Sequence, residues 1–125
     1  MMKDVVLLKS LKDRRGRHYK ESDLRNQVVG KALFGELGEG MGTTMNLERV
    51  SHTITNIRIV DNDLVGDIDF LKTPMGVIAS TLVGEGVNLK TSIRAVGTTN
   101  KEGVVEYLMI YGFDLITGGM NYEYS

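Results

Sequence analysis

A threonine–proline pair set between two alternating runs is the feature that most constrains what this chain can fold into. From Asp67 to Gly97 the sequence reads as strand, helix, strand. Leu64, Gly66, Ile68 and Phe70 alternate with Val65, Asp67 and Asp69, as in a strand with one apolar and one mostly polar face. Thr73 is suited to cap a helix and Pro74 to open it. Val77, Ile78 and Leu82 fall on one helical stripe, which predicts the buried face. Gly84 and Gly86 supply the stop. Val87, Leu89, Thr91 and Ile93 then alternate with Asn88, Lys90, Ser92 and Arg94. Ser92 is therefore expected on the polar face with Lys90 and Arg94, pointing away from the apolar side.

The rest of the chain extends this pattern. Val5 to Leu8 predicts a short buried strand. Asp13 to Arg17 (DRRGR) predicts a turn with Gly16 at its tip, and its three arginines read as a solvated turn. Ser22 is placed to cap a short helix with Leu24, Val28 and Val29 inside. Ala32 to Phe34 predicts another buried segment. In Ser51 to Val60, the isoleucines Ile54, Ile57 and Ile59 break strict alternation, which predicts a bulge near Thr55 and Asn56. Asp61-Asn62-Asp63 is a tight turn, so this run and Leu64 to Phe70 form a hairpin. Val104 to Leu115 is apolar on both faces and reads as an interior strand. The expectation is an α+β fold: one domain over residues 1–117, mostly antiparallel or mixed sheet with two short helices, followed by a short tail over residues 118–125.

Composition enters where it excludes chemistry. The 125 residues suffice for one domain. The net charge of -1 offers no electrostatic case for nucleic acid or an anionic membrane. No apolar run approaches the roughly 20 residues that span a bilayer, and the N-terminal stretch lacks a signal-peptide cleavage pattern. The absence of cysteine removes disulfides, thiolate metal sites and cysteine nucleophiles. No cluster has metal-ligand spacing, so neither metal nor cofactor is expected. The glycine-rich Gly35 to Thr44 matches neither phosphate-binding pattern, G-x-x-x-x-G-K-[ST] or G-x-G-x-x-G between strand and helix.

Five motifs occur in a telling order. They are the basic turn Asp13-Arg14-Arg15-Gly16-Arg17-His18-Tyr19; Gly35-Glu36-Leu37; Val50-Ser51-His52-Thr53-Ile54-Thr55; Val65-Gly66 leading to Thr73-Pro74-Met75-Gly76; and Ser92-Ile93-Arg94-Ala95-Val96-Gly97. In this order and spacing, over nearly the whole chain, the sequence resembles the prohead core proteases of tailed bacteriophages, serine endopeptidases that cleave scaffold and capsid proteins during head maturation. The resemblance implies that Ser92 matches the nucleophile, with Arg94 and Gly97 as substrate-binding positions. It also implies a catalytic histidine two residues after the G-E-L motif, usually followed by proline. Here those positions hold Glu39 and Gly40.

That departure decides between two functions. A serine hydroxyl needs a positioned base, and a carboxylate of ordinary pKa is a weaker base than imidazole. The first reading is a non-catalytic, capsid-associated or auxiliary head protein, to which the short length and tail also point. The second is an active maturation endopeptidase in which His52 or Glu39 serves Ser92 as base. On either reading the expected partners are phage capsid or scaffold proteins, in a homo-oligomer or bound to the capsid. The expected location is the prohead or virion, and the host cytoplasm during assembly. His52 also reads as a structural histidine, and Ser92 as a polar residue on an outward strand face. Asp114 and Glu106, on one face of the last strand, are placed to orient a histidine.

Overall fold

The computed structural model describes residues 1–38 and 44–117. In chain order the elements are β1 (Met2–Leu8), β2 (His18–Tyr19), α1 (Glu21–Gln27), β3 (Leu33–Glu36), β4 (Val50–Val60), β5 (Asp63–Phe70), α2 (Pro74–Gly84), β6 (Leu89–Thr99) and β7 (Val104–Thr117). They form one sheet in the order β1-β5-β4-β3 and a second in the order β2-β7-β6. Within these sheets, among the described residues, the short β2 alone runs parallel to its neighbour, pairing His18 with Val104 and Tyr19 with Val105. The α+β architecture with two helices agrees with the sequence expectation. The expected tail over 118–125 lies outside the described residues.

The two sheets meet along one seam. Leu37 bridges Leu115, and the Gly38 amide donates to the Leu115 carbonyl at 2.7 Å. The end of β3 thus lies against β7 and turns two sheets into most of a barrel. Its interior holds Leu8, Leu24, Ile54, Ile57, Leu64, Ile68, Phe113 and Leu115, all closed to solvent. On the far side β1 and β6, the outer strands of the two sheets, face each other.

The β4–β5 hairpin follows the expected design. Asp61 and Asn62 turn the chain with φ of 49° and 67°, the left-handed pair that a two-residue hairpin loop requires. The register shifts between Thr55 and Arg58, with Asn56 at φ 52°. This bulge returns Ile57 to the core side after Ile54. β7 is interior, between β2 and β6.

Three local expectations are corrected. α1 is capped by the backbone at Lys20, with no side-chain cap from Ser22 or any other residue. Phe34 is exposed, because β3 turns Leu33 toward Ile54 and leaves Phe34 opposite Thr53 on the outside. On α2 the buried residues are Gly76 and Ala79, while Val77 and Ile78 face solvent. The cause is steric. A Cβ at Gly76 would lie 2.0 Å from the Leu71 carbonyl oxygen and 2.8 Å from that of Ser51. The helix therefore seats its smallest residues against the sheet. Its N-terminus is fastened there by Thr73, whose hydroxyl donates to Val50 O (2.6 Å) and accepts from the Gly76 amide (3.0 Å).

Candidate functional site

Ser92 is the fourth residue of β6 and pairs with Asp114 on β7. Neighbouring positions send Ile93 and Phe113 together toward the core. Ser92, Arg94 and Asp114 therefore occupy the opposite face. That face was expected to be open, and only Lys90 on it is. Ser92 is 7% exposed, Arg94 5% and Asp114 2%.

The cover is a cluster of charges. Arg94 grips Asp114 with two nitrogens, Nη2 at 3.1 and 3.0 Å from the two carboxylate oxygens and Nε at 3.3 Å. Its Nη2 also lies 3.1 Å from Glu36 Oε1, and Nη1 donates to the Thr44 carbonyl at 3.4 Å. Glu36 accepts from the Asn46 amide at 2.6 Å and lies 3.6 Å from Arg49 Nε. The Glu36 amide in turn donates to Asp114 at 3.0 Å. Burial works to lower the pKa of Arg94, but hydrogen bonds to Asp114 and Glu36 outweigh it and hold the pKa above its ordinary value. Two carboxylates and one guanidinium, with Arg49 at the rim, leave little uncompensated charge.

β3 delivers Glu36 here through a register shift between Gly35 and Glu36. Gly35 is opposite His52 on the inner face, and the bulge after it lets Glu36 reach outward. No Cβ fits at Gly35: it would sit 1.9 Å from the Phe113 carbonyl oxygen and 2.2 Å from His52 Nε2. The glycine makes room for the imidazole to cross to β7.

His52 is wholly buried. Its Nε2 lies 2.8 Å from the Phe113 carbonyl oxygen and its Nδ1 2.6 Å from Ser51 Oγ. A carbonyl only accepts, so Nε2 carries the proton and Nδ1 accepts from the Ser51 hydroxyl. Burial lowers the pKa of His52, against the opposing effects of the Phe113 carbonyl and the Asp114 charge, and favours this neutral form. Both ring nitrogens are thereby engaged, and neither is directed at Ser92. The other histidine, His18, pairs with Val104 near the opposite end of β7 from Asp114.

The remaining sequence candidates divide. Glu39 and Gly40 lie outside the described residues. Gly97 sits where β6 and β7 slip register, on an exposed stretch, with a Cβ position 2.6 Å from Val105 Cγ1. Arg94 is committed to the ion cluster. Asp114 and Glu106 are parted: Asp114 is buried on Arg94, while Glu106 lies 3.9 Å from Lys20. Among the described residues no group of three His, Asp or Glu side chains is placed to hold a metal ion, and no helix is long and apolar enough to cross a membrane. The residue that sequence reasoning left without a role is Glu36. Its signal was a lone carboxylate closing an otherwise apolar strand, Leu33-Phe34-Gly35-Glu36.

Among solved structures, the bacteriophage T4 capsid assembly protease, gp21, superposes with a TM-score of 0.69 at 21% identity, covering 94% of this chain and 90% of that one. The chain has the capsid assembly protease fold. No family model matches the sequence, and no curated protein matches it. The strand carrying Ser92, the strand pair carrying His52 and the G-E-L segment converge around β7. The chemistry at their meeting point is an ion cluster beside a serine.

Proposed function

We propose that this chain is a structural or auxiliary protein of a phage head, built on the capsid assembly protease fold and not itself a peptidase. The observation that carries the reading is the state of His52: both ring nitrogens are engaged within the fold, by Ser51 and by the Phe113 carbonyl. Ser92 keeps its place on β6, yet no described imidazole is poised to take its proton. Arg94 supports the same reading, because a guanidinium held by Asp114 and Glu36 is spent on the fold. The partners are capsid or scaffold proteins, with the chain bound to the capsid or self-associated in the prohead or virion.

The test is incubation of the purified protein with its cognate capsid and scaffold proteins, read by intact mass. The expected result is no change in any mass, with Ser92→Ala retaining its effect on head assembly. Specific cleavage that Ser92→Ala abolishes would overturn the reading and establish a maturation endopeptidase with Ser92 as nucleophile.

A further inference from the structure

We propose that the groove between α2 and the end of β7 is the seat of this chain's own residues 118–125, which lie across it as a strap. This goes beyond the reading above and holds whether or not the chain cleaves head proteins.

The first observation is an apolar stripe left uncovered. Because the sheet takes Gly76 and Ala79, α2 turns its larger side chains outward, and Ile78 is 46% exposed. Met75, Ile78 and Leu82, spaced i, i+3 and i+7, share one helical face. They supply one side of a groove of about 460 Å³, and Leu37 and Ile116 supply the other. The sequence pattern marked Ile78 and Leu82 for burial, and among the described residues they are left at the surface or only partly buried. Apolar surface gathered into a concave site marks a place where another segment packs.

The second observation is where the described chain stops. Thr117 itself lines the groove. The next residues are Gly118-Gly119-Met120-Asn121-Tyr122-Glu123-Tyr124-Ser125. Fully extended, this segment reaches about 26 Å, and the 11-residue α2 is about 16 Å long, so it can cross the whole groove. The paired glycines permit the reversal that this path needs. In an extended run Met120, Tyr122 and Tyr124 share one face. Tyrosine suits a groove open to water, with its ring inside and its hydroxyl at the rim. Asn121 and Glu123 fall on the water side, where Arg49, the one charged side chain in the wall, offers Glu123 a partner. Arg49 also donates to the Leu37 carbonyl and lies 3.6 Å from Glu36, yet its side chain remains 41% exposed, and a guanidinium has donors for more than these two contacts. A segment tethered at the mouth of the groove meets it at high effective concentration, which favours its own groove over that of a second copy.

The experiment exploits the absence of cysteine from the chain, so one introduced thiol reports on its own position. Ile78→Cys and Val77→Cys are made separately in the full chain, and the rate of reaction with a maleimide is measured for each. Both side chains are exposed in the described structure, and only Ile78 lines the groove. A thiol reacts according to its accessibility, so Tyr122→Ser combined with Tyr124→Ser should speed labelling of the Ile78→Cys thiol roughly tenfold or more. The Val77→Cys thiol should react at the same rate with and without the two serine substitutions, which also shows that they leave α2 folded. Equal rates at Ile78→Cys with and without the tyrosines would overturn the proposal. So would protection that grows with protein concentration, which would seat a second copy's segment in the groove.

Discussion

Ser92 and Asp114 are partners across β6 and β7, both closed to solvent, and the carboxylate beside the serine is already held by Arg94. An aspartate so held has little freedom to orient an imidazole or activate a hydroxyl. The same residues instead lock β3, β6 and β7 together. The functional question therefore begins with a stability question.

Removing Arg94 should cost heavily. Arg94→Ala would leave Asp114 buried without its principal cation, and losing one partner of a buried ion pair typically costs about 3–5 kcal/mol. Arg94→Lys should restore only part of this, since an ammonium cannot reproduce the two-pronged grip on Asp114. Urea unfolding of the two variants tests the ranking, and equal stability of Arg94→Ala and the parent would refute it.

Gly35→Ala should destabilise the fold without touching a charge. The added methyl would overlap both the Phe113 carbonyl and the His52 ring, and forced overpacking commonly costs about 1–3 kcal/mol. A lowered melting temperature, with displaced resonances for His52 and Phe113, is the expected outcome.

Stability should fall as pH drops below the ordinary histidine range. Burial lowers the folded-state pKa of His52, so between that value and the unfolded pKa of about 6.5 the unfolded chain binds more protons. Unfolding free energy therefore declines through this window and levels off below the folded pKa. Asp13, Asp63 and Asp67 also have lowered pKa values. Their contribution is present above the ordinary aspartate pKa and is lost only as pH falls below it. Denaturant titrations between pH 7 and 5 should show a slope that His52→Gln removes, whatever that substitution does to stability at pH 7.

Rebuilding the G-E-L histidine is the converse test of inactivity. Glu39→His, with Gly40→Pro, restores the pattern that the sequence resembles. Weak cleavage of scaffold protein that needs Ser92 would show that the missing imidazole was the main deficit, and continued inertness would point to the Arg94–Asp114 lock as a second one. Intact mass reads either result.

The hairpin and α2 were legible because their signals are local. Asp61-Asn62 forces a turn by its own backbone preference, the Ile54–Ile57 phase change announces a bulge, and Thr73-Pro74 starts a helix without outside help. The inner face of α2 was misread because apolar periodicity counts methyl groups, while the sheet selected for closeness and took Gly76 and Ala79. Ser92 was misjudged for a related reason. Strand alternation tells which residues share a face, but not whether another strand covers it. The covering residue, Glu36, comes from β3, and its link to Asp114 spans 78 residues. Neither the ion cluster nor the groove beside α2 exists until distant segments meet.

That span also orders events in time. The β4–β5 hairpin closes over a two-residue turn and is free to form early, whereas the Leu37–Leu115 seam must wait for most of the polypeptide to be drawn together, at a loop-closure entropy set by its long separation. Until it forms, Glu36 remains hydrated and apart from Arg94 and Asp114, which the β6–β7 hairpin brings together on its own. The seam is therefore a late fastening of the barrel, and its amide at Gly38 should exchange with solvent sooner than those of Ile54 and Ile68 in the hairpin.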